Sequence, residues 1–359
     1  MAEMQIRMDH IDQVRWREPA TEALAPGRVR CRVDHFAFTA NNISYADHGK
    51  RLGYWHFFPA ADGGGEWGIV PVWGFAEVTE STCDELPPGE RLFGYWPMAG
   101  ECVLSVGEVS KGTVMENSLH RASLAPAYNR YNRTSADPTW SPEAEPLQAL
   151  LRPLFLTAFV ADDFIAQHEF FGATRVLISS ASAKTALAIG FQLRQRDGIA
   201  VTGLTSDGNR AFAESLDVYD NVVTYADIAS LNADDRWVYV DIAGSTAIRN
   251  QVHGHLKDQL RHSCAIGGSH WQDRTDEPLP AGPEPKFLFA PAHIDQRISD
   301  WGAAGFQQRF GAAWVNFAAT ANGWLEVTEV AGPQAVEQLY ADMLSGSADP
   351  RRGYMARLP

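Results

Sequence analysis

From residue 27 to residue 110 the apolar positions fall in short runs of alternating or β-branched character: "GRVRCRVDHFAFT", "GIVPVWGFAEVTEST", "ERLFGYW" and "GECVLSVGEVS". Glycine and proline signals such as "ADGGGEWG" and "DELPPGE" separate them, so this half predicts a β-rich barrel or sandwich. A connection over 111–150 without periodicity leads to "LQALLRPLFLTAFVADDFIAQHEF", whose spacing predicts one or two helices. From residue 174 the pattern changes. "TRVLISS", "GIAVTGLT", "NVVTY", "RWVYVDIAG" and "HSCAIGG" are apolar strands of the buried kind, and helical segments such as "AKTALAIGFQLRQRD" and "STAIRNQVHGHLKDQLR" lie between them. That alternation predicts a parallel sheet covered by helices, a doubly wound α/β domain. The tail, "GPQAVEQLYADMLSGSADPRRGYMARL", reads as a helix and a short strand returning to the first half. The expected organisation is a β-barrel domain over 1–146, completed by about 291–359, and a doubly wound domain over 147–290.

Composition narrows the partners. The 359 residues carry 30 Lys and Arg against 44 Asp and Glu, a formal net charge of −14, and no basic block interrupts the balance, which argues against nucleic acid. "MAEMQIRMDHIDQVRW" has no apolar core behind its charges, so no secretory signal is expected. The longest apolar stretch is broken by Arg152, Asp162 and Asp163 before it reaches the ~20 residues a bilayer requires. A cytoplasmic protein without membrane anchorage is expected. Cys31, Cys83, Cys102 and Cys264 are scattered, without a zinc-site spacing, and predict buried reduced thiols and no metal. In "HGHLKDQLRH", His253, His255 and His262 lack the i, i+4 spacing of a zinc pair and read as a solvated helix face.

The first crossover of the doubly wound half, "RVLISSASAKTALAIGF", carries the candidate chemistry. A helix N-terminus after a parallel strand offers free backbone N–H groups and a positive dipole end to an anion. Dinucleotide folds place glycines there, for tight turning and close approach. Here the loop holds Ser180, Ala181, Ser182, Ala183, Lys184 and Thr185. Small residues preserve close packing, while a left-handed turn is not expected without glycine. Lys184 at a helix start opposes the dipole unless an anion lies beside it; a plain strand-to-helix turn with polar caps is the competing reading. The second strand, "GIAVTGLTSDGNR", ends in Thr205 and Ser206 with Arg210 beyond, a set suited to a 2′-phosphate and hence to NADP. Asp207 stands against this, and a surface turn at "SDGN" is the alternative.

The order of barrel, helical linker and nucleotide half resembles the medium-chain dehydrogenase/reductase superfamily, most of all its zinc-free quinone and enoyl reductases. "LPPGERLFGYWPMAGECVL" is similar to the family's barrel turn, with Glu90 and Leu92 as departures; "PLFLTAFVADDF" to its linker helix; "YVDIAGSTAI" and "CAIGG" to its fourth and fifth nucleotide strands. The similarity runs from about Pro26 to Leu358 with sparse identities, and it also fits an uncharacterised branch of the superfamily, a domain of unknown function. It implies a GroES-like β-barrel domain plus a Rossmann-type doubly wound domain. It places Asn41, in "FTANNIS", opposite the nicotinamide, Tyr54, in "RLGYWHFFP", as proton donor or orienter, and Gly267 among the cofactor-binding residues. Tyr45 and His56 are nearby substitutes, and an aromatic packed among Trp55, Phe57 and Phe58 is the competing reading of Tyr54. The zinc-binding Cys and His of the superfamily's alcohol dehydrogenases are missing.

The expected activity is an NADPH-dependent, metal-free reduction of an activated double bond or quinone. The expected substrate is small and apolar, in keeping with the aromatics of "GYWHFF", "GYW" and "SHW". A non-catalytic binding protein on the same fold and a binder of another anionic ligand, such as a coenzyme A thioester held by Lys184, are the alternatives. A homodimer is left open.

Overall fold

The apolar runs of the first half form antiparallel strands because each is long enough for one barrel wall and ends at a turn signal. The computed structural model describes residues 2–60, 65–267 and 278–359; the "SHW" aromatics and most of the glycine run in "ADGGGEWG" lie outside the described residues. Strands β1 (Glu3–Arg7) and β2 (His10–Arg17) pair as a hairpin that no run in the sequence announces. They are followed by β3 (Arg28–Phe38), the short helices α1 (Ala40–Asp47) and α2 (Gly49–Leu52), then β4 (Trp67–Gly68), β5 (Pro71–Ser81), β6 (Arg91–Pro97), β7 (Glu101–Val109), β8 (Thr113–Glu116) and β9 (Arg130–Arg133). The pairing β3-β5-β6-β9-β8-β7 returns to β3, so six antiparallel strands close into a GroES-like barrel. Closure depends on the length of β3, which pairs β7 through Arg28–Arg32 while running beside β5 as far as Ala37. Val33, Phe36, Ala76, Val78 and Trp96 are buried on one face of β3, β5 and β6, where they fill the interior, while Phe75 lies on the opposite face with Trp73 and Tyr95.

Helix α3 (Glu145–Gln167), a single helix with Pro153 inside it, leads to the second half. There β10 (Arg175–Ser179), α4 (Lys184–Leu193), β11 (Ala200–Thr205), α5 (Asp207–Ser215), β12 (Asn221–Thr224), β13 (Trp237–Asp241), α6 (Thr246–Leu256), β14 (Leu260–Ala265) and β15 (Lys286–Phe287) build one parallel sheet of order β12-β11-β10-β13-β14-β15. In order of appearance that is 3-2-1-4-5-6, the Rossmann arrangement. Its strands are buried on both faces, as in Val176–Ser179 and throughout β13, which is why they read as continuous apolar runs. Helix α7 (Ala290–Ala321) follows, then β16 (Glu326–Ala331), α8 (Pro333–Leu344) and β17 (Arg352–Arg357). The tail does return: β17 pairs antiparallel with the end of β3, Tyr354 opposite Phe38, and β16 adds a parallel strand beyond it.

The chain divides into Met1–Leu150 with Glu326–Pro359, and Leu151–Leu325. The return therefore comes at Glu326 rather than near residue 291. The cause is aromatic: Phe310 and Phe317 of α7 pack on Phe155 of α3 at 5.9 and 4.8 Å, and Phe306 on Phe159 at 5.9 Å, which ties α7 to the parallel-sheet unit. His253 also departs from expectation. It is buried instead of solvated, because its Nε2 meets the Ser263 hydroxyl of β14 at 3.0 Å and its Nδ1 the Ala281 carbonyl at 3.0 Å. Cys31, Cys102 and Cys264 are buried and Cys83 half-buried. No helix among the described residues is long and apolar enough to cross a membrane.

Candidate functional site

In an open parallel sheet the carboxyl ends of the strands on either side of the order reversal form a natural crevice. Here those strands are β10 and β13. The loop after β10 turns back at Ser180, whose φ of 51° lies in the left-handed region. The left-handed turn therefore forms without glycine, contrary to expectation, at a strain of about 1–2 kcal/mol. Three contacts hold it. The Ser180 N–H donates to the Tyr225 hydroxyl at 3.2 Å, the Ala181 N–H to the Leu204 carbonyl at 3.0 Å, and the Tyr219 hydroxyl to the Ala181 carbonyl at 2.9 Å. The missing glycine has in effect moved to the neighbouring strand: a Cβ on Gly203 of β11 would lie 2.8 Å from the Cβ of Ala181, so the alanine fits only because residue 203 has no side chain.

The loop delivers Ser182, Ala183, Lys184 and Thr185 to the start of α4, with Ala183 at the N-cap position and no side chain capping the helix. The N–H of Ala183 is satisfied by Ser180 and that of Leu187 by Ala183; those of Ser182, Thr185 and Ala186 have no acceptor among the described residues. Orphan donors at the positive end of a helix dipole suit an anion. Lys184 and Thr185 are half-buried beside them. At the end of β11 Thr205 is buried, while Ser206 stands at the N-cap position of α5 and Arg210 is exposed one turn on, its Nε 2.8 Å from Glu214. Gly267, past β14, lies so near Ile242 that a Cβ would meet the Ile242 carbonyl oxygen at 2.8 Å. All these candidates gather at one edge of the sheet. The residues present thus fit a dinucleotide phosphate at α4, with side-chain donors in place of part of the backbone cradle.

Sequence reasoning missed what holds this edge together. Asp241, at the end of β13 and 1% exposed, takes at Oδ1 the Ser179 hydroxyl (3.0 Å), the Tyr239 hydroxyl (3.2 Å) and the Gly244 N–H (2.9 Å), and at Oδ2 the Arg249 Nε (3.0 Å). Ser179 accepts in turn from the N–H groups of Ile242 and Ala243 at 2.9 and 3.0 Å. One carboxylate therefore fixes the ends of β10 and β13 across the order reversal. A charged residue ending an apolar strand was the only signal in the sequence.

The two residues assigned from resemblance to the chemical step, Asn41 and Tyr54, lie in the barrel unit. Thr39 caps α1 and exchanges hydrogen bonds with Asn42, whose side-chain amide also donates to the Pro71 carbonyl at 2.9 Å, so Asn42 is committed to structure. Asn41 is half-buried on the helix that also carries Tyr45, whose hydroxyl accepts from Trp73 Nε1 at 3.1 Å. Tyr54 is buried, 8% exposed, with its ring 4.5 Å from Tyr45 and its hydroxyl 3.3 Å from that of Tyr128. It is thus both packed, as the competing reading had it, and hydrogen-bonded. Burial raises the phenol pKa values of Tyr45, Tyr54, Tyr95 and Tyr128, so all four stay protonated at neutral pH and act as uncharged donors. Among the described residues no group of three His, Cys, Asp or Glu side chains is arranged to hold a metal ion.

A six-stranded GroES-like barrel joined to a 3-2-1-4-5-6 parallel sheet is the medium-chain dehydrogenase/reductase fold, and solved structures of that superfamily superpose over the whole chain. CurA from Vibrio vulnificus in complex with NADPH matches with a TM-score of 0.63 at 11% identity, covering 100% of this chain and 99% of that one. A protein of Mesorhizobium loti assigned as an NADPH:quinone reductase matches at 0.61 and 12%, covering 99% and 98%. The yhdH oxidoreductase of Salmonella enterica in complex with NADP matches at 0.53 and 11%, covering 100% of both chains. At such identities the likeness establishes the fold. The family described as "Protein of unknown function (DUF2855)" matches residues 36–349, and the chain belongs to that family. No curated protein sequence matches it.

Proposed function

We propose that this protein is an NADPH-dependent, metal-free reductase of an activated double bond or quinone, acting on an apolar substrate. The observation that carries the reading is the loop after β10. N–H groups without an acceptor among the described residues, Lys184 and the hydroxyls of Ser180, Ser182 and Thr185 lie at the point where a Rossmann sheet reverses its order. Bound NADPH supplies the hydride. The chain's own residues hold its charges and present neutral donors: Lys184 and the loop hydroxyls take the pyrophosphate, Ser206 and Arg210 the 2′-phosphate from the start of α5, and Tyr54 gives a proton to the reduced substrate. Asn41 orients the nicotinamide.

Titration of NADPH fluorescence tests this. Lys184→Ala is expected to weaken NADPH binding at least tenfold with the fold intact, because a lysine replaces part of the close backbone approach. Arg210→Ala is expected to erase a preference over NADH of roughly ten- to a hundredfold, the worth of about 1.5–3 kcal/mol for a charge-assisted contact. An unaltered Lys184→Ala titration, or equal affinity of the parent protein for both cofactors, defeats the assignment.

One observation favours a second reading. The Ser180 N–H is engaged by Tyr225, which narrows the cradle and suits a protein that keeps the fold for binding alone. Tight NADPH binding without consumption across a panel of quinones and enones would support it. Displacement of NADPH by coenzyme A at similar concentration would instead point to a thioester ligand.

A further inference from the structure

A buried phenol hydroxyl without a partner is costly, about 1–3 kcal/mol, and native interiors rarely leave one so. Tyr95 of β6 is such a residue: it is fully buried, and its Oη has no hydrogen-bond partner among the described residues. The neighbouring Tyr45 hydroxyl does not meet hydrogen-bond geometry with it. Around Tyr95 stand the rings of Tyr128 at 4.7 Å, Trp73 at 5.0 Å, Phe57 at 5.2 Å, Tyr45 at 5.5 Å and Phe58 at 6.4 Å. A trapped water needs two to four polar partners, and this shell is almost all carbon. Two of the rings, Trp73 and Tyr128, and Asn41 keep a minor part of their surface exposed while the rest of the cluster is buried, so the cluster opens on one side. Arg121 lies over the outer rings Phe57 and Phe58 at 5.9 and 4.4 Å, but its guanidinium is taken up by Glu116, the Phe57 carbonyl and the Tyr131 hydroxyl. The polar groups nearest Tyr95 are phenol hydroxyls, one indole N–H and one carboxamide.

We propose that the Tyr95 hydroxyl is a ligand-binding donor, which takes the carbonyl oxygen of a planar aromatic ketone or quinone packed against Trp73 and Tyr128. Uncharged donors in an aromatic shell match an uncharged oxygen acceptor on a flat ring system and disfavour carboxylates, phosphates and thioesters. The substrate class rests on the reductase reading; the site itself rests on the orphan hydroxyl and the rings. Tyr95 is more deeply placed than Tyr54, whose hydroxyl is already engaged by Tyr128. Tyr54 remains the proton donor, and Tyr95 holds the oxygen.

The test uses the full chain, phenanthrenequinone, and phenanthrene as the same ring system without oxygens, with quenching of tryptophan fluorescence as the signal. Tyr95→Phe removes only Oη. It is expected to leave the thermal midpoint unchanged or raised in the absence of probe, to weaken phenanthrenequinone binding about tenfold, and to leave phenanthrene binding unaltered. A midpoint lowered by several degrees with quinone affinity retained means the hydroxyl serves an internal partner, and overturns the proposal. So does a parent protein that fails to bind phenanthrenequinone. Neither measurement involves NADPH, so correct binding without NADPH-dependent reduction counts against the reductase reading alone.

Discussion

Asp241→Ala is expected to lower the stability of the parallel-sheet unit by about 3 kcal/mol, the low end of what breaking a buried charge pair costs. The low end applies because Arg249 keeps 23% of its side chain in contact with water and can hydrate once its partner is gone. The remainder comes from the hydroxyls of Ser179 and Tyr239 and the N–H of Gly244, which lose their acceptor in a buried setting. Asp241→Asn is expected to be nearly as harmful: an amide keeps one acceptor, but its NH2 faces the Nε–H of Arg249, donor against donor. For a unit of this size 3 kcal/mol corresponds to roughly 6–12 °C in thermal midpoint. Thermal and urea unfolding of the three proteins measures it; an alanine variant within 1 kcal/mol of the parent refutes the network's role. On the reductase reading, the same substitution is also expected to weaken NADPH binding, since the carboxylate sets the end of β10 from which the loop assigned there to the phosphates springs.

The second large effect is on pH dependence. His262 of β14 is 5% exposed and stacked at 3.9 Å, nearly parallel, on Phe171, and His168 stacks on the same phenylalanine at 5.1 Å. Among the described residues its Nε2 has no hydrogen-bond partner. Burial, with Lys286 and His168 nearby, lowers its pKa from 6.5 to about 4. The folded protein therefore refuses a proton that the unfolded chain accepts. This group's contribution is harmless above pH 6.5 and costs progressively more stability as pH falls toward 4. From pH 7.5 to pH 5 the loss is about 2 kcal/mol. His262→Phe keeps the stack, removes the orphan nitrogen, and is expected to shrink the loss over that interval by about that amount, measured as the difference in urea unfolding free energy at the two pH values. Equal pH dependence in both proteins would show that His262 finds a solvated place for its charge.

Much of this architecture is legible in the residues. The continuous apolar character of "RVLIS" and "WVYVD" follows from burial on both faces, and the returning strand "RRGYMARL" shows in its alternation. The point of return did not show, because the aromatic face of α7 would suit either unit and only its partners Phe155 and Phe159 decide. The left-handed turn at Ser180 escaped because the groups that hold it, on Tyr225, Leu204 and Tyr219, and the gap at Gly203 that admits Ala181 all lie on other elements. His253 looked like a surface residue because its partner Ser263 lies ten residues on, across the sheet. In the barrel the sequence pointed to Asn41 and Tyr54 by position, but not to Tyr95 or Tyr128, which meet them only through closure of the strands. Contacts between residues far apart in the chain, such as the Tyr54 and Tyr128 hydroxyls, leave no local pattern.

Because β17 completes the barrel's flank at β3, manufacture of the first unit begins early and finishes late. Its opening 150 residues emerge from the ribosome with the Phe36–Phe38 edge of β3 unpaired, and the strand that covers it, Arg352–Arg357, is made roughly 200 residues later, a delay of about 10–40 s at common translation rates. The parallel-sheet unit is an uninterrupted stretch and has no such wait. The part of the chain made second is then the first able to fold, and the nascent barrel is the portion with most need of a chaperone.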